Sequence, residues 1–130
     1  MAYKNIPSII AFILFCATAC VAQSGALKRA NDALRDLDYI TAISLYQQIL
    51  QKEDVAEAKV NLAECYRKIN DTESAEYWYG QVVQLPNARS IHRLYYGMML
   101  QANGKCDLAK VWLKQYIKEA PDDARGQYLA

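Results

Sequence analysis

Asp71-Thr72-Glu73-Ser74-Ala75-Glu76-Tyr77-Trp78-Tyr79-Gly80-Gln81-Val82-Val83 decides the fold, because the same pattern occurs three times. Asp38-Tyr39-Ile40-Thr41-Ala42-Ile43-Ser44-Leu45-Tyr46 opens the copy before it, and Lys105-Cys106-Asp107-Leu108-Ala109-Lys110-Val111-Trp112-Leu113 the copy after it, with no gap in the alignment. The anchoring alanines Ala42, Ala75 and Ala109 stand 33 and then 34 residues apart, and twelve residues upstream of each lies another small residue, Ala30, Ala63 or Gly97. A fixed period of this length signals a stack of equal units, none of which can bury its apolar face alone.

Each unit reads as two helices. In the second, Ala58, Leu62, Tyr66 and Ile69 recur at three- and four-residue steps, and a fresh stripe through Ala75, Tyr79 and Val82 begins after the polar break at Asn70-Asp71. Asp71 is suited to cap the second helix, and Pro86 and Pro121 stand where second helices must already have ended. Small residues at Ala63 and Ala75 allow two antiparallel helices to approach closely, and Tyr66 and Tyr79 supply the bulk beside them. Tyr46 and Leu113 occupy the register position of Tyr79 in the flanking units. No useful length of chain alternates with period two, so strands are not expected and the fold class is all-α.

Leu62-Ala63, Tyr66, Asn70-Asp71, Ala75, Tyr79 and a late proline resemble the consensus of the tetratricopeptide repeat (TPR) family. The third unit adds Gly97, Gly104, Ala109 and Pro121; the first departs from the pattern with Arg29 in place of leucine and no proline near Asp54. The resemblance implies a right-handed superhelical solenoid of about three helix-turn-helix units, over residues 23–55, 56–89 and 90–123, with 124–130 starting a truncated or capping helix. It also implies a concave groove, lined by the first helix of each unit, that holds a peptide or partner protein. The matching positions are Leu27, Asn31, Leu34 and Arg35, then Val60, Glu64, Arg67 and Lys68, then Leu94, Met98 and Gln101. One branch of the family grips acidic C-termini with two asparagines and several cations. Asn31 and Asn61 match the asparagines, but Leu27, Ile91 and Tyr95 stand at the cation positions, so that clamp is not expected here.

The chain has 130 residues, 53% of them apolar, with 15 basic and 14 acidic side chains. This balance gives no field to attract a phosphate backbone, which argues against a general nucleic-acid binder. Residues 1–22 have the layout of a secretory signal peptide: one charge at Lys4, an apolar run from Ile9, and small residues at Ala17, Ala19 and Ala22. Cleavage after Ala22 would leave Gln23 first. The alternatives are a lipoprotein, with Ala17-Thr18-Ala19-Cys20 as the processing box and the lipid on Cys20, and an uncleaved anchor. Removing the leader takes both phenylalanines, leaving a core of Leu, Ile, Val, Ala and Tyr.

The chemistry of a catalyst is missing from the pattern. His92 has no cysteine or carboxylate at metal-ligand spacing and is expected at the surface or in a cap, Cys65 is expected to pack as a small buried residue, and a Cys65–Cys106 bridge is the less favoured arrangement. Asn70-Asp71-Thr72 matches a glycosylation sequon but is also explained by the interhelical turn. Trp78 and Trp112 share one register position and are expected to cover the seams between units. No enzyme, metal or cofactor is therefore expected.

The leader, Asp38-Tyr39 with Ala42-Ile43, Ala63-Glu64-Cys65-Tyr66-Arg67-Lys68 and Ala75-Glu76-Tyr77-Trp78-Tyr79 together resemble the N-terminal repeat region of bacterial envelope proteins. In those proteins a β-propeller and an OmpA-like peptidoglycan-binding domain follow, and some members serve type IX secretion. This resemblance implies a periplasmic or outer-membrane location, an envelope component as partner, and a role in assembly or secretion. A lipid-anchored surface protein for nutrient or glycan capture is the alternative.

Overall fold

The computed structural model describes residues 25–129. The leader, with Cys16, Cys20 and the cleavage point after Ala22, lies outside the described residues. Among the described residues seven helices follow one another: α1 over 25–35, α2 Tyr39–Leu50, α3 Ala56–Lys68, α4 Thr72–Val82, α5 Ser90–Ala102, α6 Cys106–Glu119 and α7 Ala124–Leu129. Among the described residues there is no strand, and no helix is long and apolar enough to cross a membrane. The helices pair in sequence as α1/α2, α3/α4 and α5/α6, each packing mainly on its neighbours in the chain, and the result is a solenoid of helix-turn-helix units.

The turn inside each pair is built the same way. The N–H groups of Asp38, Asp71 and Lys105 donate to the carbonyls of Ala33, Tyr66 and Leu100 at 2.9, 3.0 and 2.8 Å, closing the end of each first helix. That closure needs a left-handed residue one step earlier, found at Leu37, Asn70 and Gly104 with φ of 62°, 61° and 78°. Asp38 and Asp71 then accept from the N–H groups of Thr41 and Ser74, each at 3.1 Å, as N-caps of α2 and α4. In the third unit Lys105 cannot accept. It pairs instead with Glu76 at 2.5 Å, while Asn103 donates to Glu76 at 2.8 Å and to the Thr72 carbonyl at 3.0 Å, tying the third unit to the second.

The small-residue positions lie where the helices approach. Ala30, Ala42, Ala63, Ala75 and Ala109 are buried, as is Gly97, where an added Cβ would come within 2.8 Å of the Leu113 side chain. Tyr46, Tyr79 and Leu113 fill the space beside them, with Leu62 under the first seam, while Tyr66 is half-buried between the first two units and its hydroxyl accepts from Gln47 at 2.8 Å. The core forms three successive clusters, one at each unit and its junction with the next, and the last is Leu94, Leu113 and Tyr116 with Leu129 of α7 against it. Pro121 precedes α7, and Gly126 brings that helix close enough that a Cβ there would meet the Tyr116 ring at 2.6 Å.

Two expectations need adjustment, while Cys65 packs as expected. His92 caps α5 by accepting from the Arg89 N–H at 3.2 Å, but it is buried, not superficial, at 7% exposure. Trp78 packs against both of the first two clusters, as a seam residue should, whereas Trp112 meets Tyr96 of its own unit edge-on at 5.1 Å. Cys65 is buried and Cys106 is exposed at the start of α6, and both are free thiols.

Candidate functional site

The first helices α1, α3, α5 and α7 supply one face of the solenoid, and two hollows lie along it. One, of about 260 Å³, is lined from α3 by Val60, Asn61 and Glu64 and from α5 by Ile91, His92 and Tyr95, with Arg89 at its edge. The other, of about 490 Å³, lies between α5 and α7, with Leu94, Tyr95, Met98, Tyr128 and Leu129 around an almost wholly apolar lining. Of the residues expected in the groove, Val60 and Glu64 therefore meet in the first hollow, and Leu94 and Met98 in the second.

The polar groups of this face are largely occupied by one another. The Asn31 carbonyl oxygen accepts from the Tyr46 hydroxyl at 2.6 Å and from the Asn61 amide at 3.1 Å, while the Asn31 amide donates to Glu57 at 2.8 Å. Asn61 also donates to the Tyr46 hydroxyl at 3.1 Å. The two asparagines that would grip a carboxylate are thus bridged through a core tyrosine, and both amide protons of Asn61 are committed. Burial, with smaller contributions from neighbouring negative charge, pushes the Tyr46 hydroxyl up to about 12 despite the Asn61 bond, so it acts as a neutral donor.

Fifteen residues after Glu64, Tyr79 repeats the arrangement of Asn31 and Tyr46. Its hydroxyl donates to Glu64 at 2.9 Å, and Arg67 grips the same carboxylate with two bonds of 2.9 and 2.5 Å. The Arg67 guanidinium also lies 4.2 Å above the centre of the Tyr95 ring. Burial alone would raise the Glu64 carboxyl. The bonds from Arg67 and Tyr79 and the charges of Arg67 and Lys68 outweigh it and leave the carboxyl below its ordinary range. Burial chiefly pushes the Tyr79 hydroxyl well up, so it too stays protonated. Arg67, expected to meet a partner, is therefore held between α3 and α5 by its own chain.

The rest of the expected lining is divided between exposed and buried positions. Leu27 and Leu34 are half-buried against the first cluster, Arg35 is exposed and paired with Asp32 at 2.6 Å, Lys68 lies 3.8 Å from Glu64, and Gln101 is exposed. Leu94 corrects its expectation: at 1% exposure it belongs to the core beneath α7 and cannot contribute appreciable area to a partner. Several residues absent from the expected lining stand in it, Tyr95 and Tyr128 among them. Tyr95 holds the register position of Asn61, and Tyr128, 92% exposed, that of Leu94, each 34 residues on. Carrying the repeat register one step further along the sequence would have found both.

His92 is held below its usual basicity first by burial and then by the charges of Arg89 and Arg93, and the Cys65 thiol is pushed up to about 11, mainly by burial. Neither is activated as a nucleophile. Among the described residues no group of three or more His, Cys, Asp or Glu side chains gathers to hold a metal ion.

The chain is similar in structure to the second TPR domain of the human RPAP3 protein, solved in complex with the HSP70 peptide SGPTIEEVD. The likeness has a TM-score of 0.68 at 23% identity and covers 80% of this chain and 88% of that one. It establishes the TPR fold. No family model matches the sequence, and no curated protein sequence does.

Proposed function

We propose that this chain is a non-enzymatic scaffold of a bacterial cell envelope, exported by its leader, whose first-helix face holds a peptide or partner protein during envelope assembly or secretion. The observation that carries this reading is the row of Leu34, Val60, Tyr95 and Met98, half-exposed on successive first helices, of which Val60, Tyr95 and Met98 line the two hollows. The peptide-bound TPR neighbour supports interaction as the role of such a face. Export and the envelope rest on residues 1–22 and on the resemblance of the repeats to envelope proteins.

Photo-crosslinking in envelope extracts tests the first half, comparing the unaltered chain with one in which Leu34, Val60 and Met98 are each changed to Asp. Loss of the crosslinked partners is expected, and equal recovery from both would refute the groove. Cell fractionation with intact-mass measurement tests the second half. A periplasmic chain beginning at Gln23 is expected; a diacyl adduct on Cys20 would move the protein to the lipid-anchored class, and cytoplasmic retention would end the envelope reading.

A further inference from the structure

His92 is a buried polar side chain that the fold uses at one nitrogen only. Its Nδ1 accepts from the Arg89 N–H at 3.2 Å, so the ring, kept neutral by burial and by the charges of Arg89 and Arg93, carries its proton on Nε2. No described residue accepts from that Nε2–H. Every fully buried polar side-chain atom among the described residues has a partner, so the Nε2 edge is the part of this 7% exposed residue that reaches open space. That space is the 260 Å³ hollow between α3 and α5 together with a further hollow of about 250 Å³ adjoining it, and the walls of both include Val60, Arg89 and His92.

The charges around this crevice favour an anion. Arg89 is exposed at its edge with no ion pair among the described residues, and Arg67 and Lys68 share the single carboxylate of Glu64. The first turn of α5, a 13-residue helix, brings the positive end of its dipole to the same place through Ile91 and His92. The acidic groups on the walls are already engaged, Glu64 by Arg67 and Tyr79, and Glu57 by the Asn31 amide at 2.8 Å. One unpaired cation and one neutral donor match a single carboxylate, whereas the double charge of a phosphate would exceed them. The hollows extend to either side of Arg89 and His92, one toward Asn61 and Tyr95 and the other toward Glu57 and Leu85, so a chain can enter and leave past the pair.

Resting on the reading of this face as a peptide groove, we propose that the crevice between α3 and α5 receives the carboxylate of an aspartate or glutamate within the partner's chain, which pairs with Arg89 and accepts from His92 Nε2–H. The cap bond that fixes the tautomer also holds the ring, so the donor is oriented before the partner arrives. The asparagine pair takes no part, because both amide protons of Asn61 are spent on Asn31 and Tyr46.

The test is panning of a phage-displayed library of random nine-residue peptides against the full chain, with the enriched sequences then made as fluorescent peptides, amidated at the C-terminus, and titrated by anisotropy. The enriched sequences should share one internal Asp or Glu, and changing it to Asn or Gln should raise Kd about tenfold, the usual worth of a charge-assisted bond. Arg89→Gln, at an exposed side chain, and His92→Asn, which keeps an acceptor for the Arg89 N–H, should each raise Kd several-fold with the helical circular-dichroism spectrum retained. In Arg89→Gln the peptide's own substitution should then cost clearly less, as coupling between the two charges requires. A shared acidic residue whose removal costs as much in Arg89→Gln as in the unaltered chain would overturn the carboxylate site while leaving the groove in place. So would enriched peptides with no acidic residue in common whose binding is lost in Met98→Asp. Failure to enrich any peptide, or binding indifferent to Arg89→Gln, His92→Asn, Val60→Asp and Met98→Asp alike, would overturn both.

Discussion

Tyr46 and Tyr79 in the first two units and Leu113 in the third occupy one repeat position, are equally buried, and face different surroundings. The tyrosines pass between the helices of their own unit and deliver a hydroxyl to the first-helix face, where Asn31 accepts from Tyr46, which in turn accepts from Asn61, and Glu64 accepts from Tyr79. Leu113 ends in methyl groups against Gly97, so no polar group is needed above it, and the side chain of the first helix at that level is Met98. A single core position therefore sets the polarity of the surface one layer out. Where it carries a hydroxyl, the surface must provide acceptors; where it does not, the surface is free to be apolar.

That contrast can be broken at either end. Leu113→Ala should have the largest effect, about 2–5 kcal/mol of stability, because the side chain is fully buried and Gly97 cannot expand to refill the space. Chemical-denaturation midpoints at constant slope would measure it. Arg67→Met should cost about 2 kcal/mol, less than the loss of one partner of a fully buried pair, since Glu64 keeps the Tyr79 bond and some contact with water. The same measurement with Glu64→Gln added to Arg67→Met should recover part of that loss, since the stranded charge is then removed. Tyr46→Phe should cost about 1 kcal/mol, one hydroxyl's net contribution, and leave the Asn31–Asn61 bond formed.

Acidification probes the junction between the second and third units with a smaller effect. His92 and Glu64 both have depressed folded values, so the unfolded chain binds the proton more readily than the folded one. The contribution of His92 is fully present above 6.5, its value when unfolded, and declines as pH falls from there through the folded value; that of Glu64 declines in the same way from 4.5 downward. Denaturation midpoints taken across this range should fall in two steps. His92→Asn, which retains an acceptor for the Arg89 N–H, should remove the upper step and leave the lower one.

The architecture was legible because the period is carried by steric necessity. Ala30, Ala63 and Gly97, with Ala42, Ala75 and Ala109, cannot be large where helices touch, and Asp38 and Asp71 must accept from exposed helix N–H groups. The surface was less legible. Periodicity assigns a residue to a face but does not set its depth, so Leu94 and Met98, four residues apart on α5, read alike although only Leu94 is covered by α7. Arg67 and Glu64 read as groove charges because their lowest-energy partners, each other and Tyr79, come together only after two helices have packed. One signal was present: Asn31 with Tyr46, and Glu64 with Tyr79, are each separated by fifteen residues, a spacing that reaches from the exposed face of a first helix to the core of its second.

The left-handed turn shared by the three units has a consequence for how the solenoid opens. Gly104 takes that conformation freely and Asn70 with little difficulty, but at Leu37 a branched side chain carries a cost of about 1–2 kcal/mol against the same backbone. In a linear array of nearly independent units such a cost remains local, so it lowers the threshold for fraying of α1 and α2 without loosening α5 and α6. Amide protons of the first pair should therefore exchange with solvent earlier than those of the third, and Leu37→Gly should narrow that gap. The turn that makes the three units look alike in shape thus makes them unequal in time.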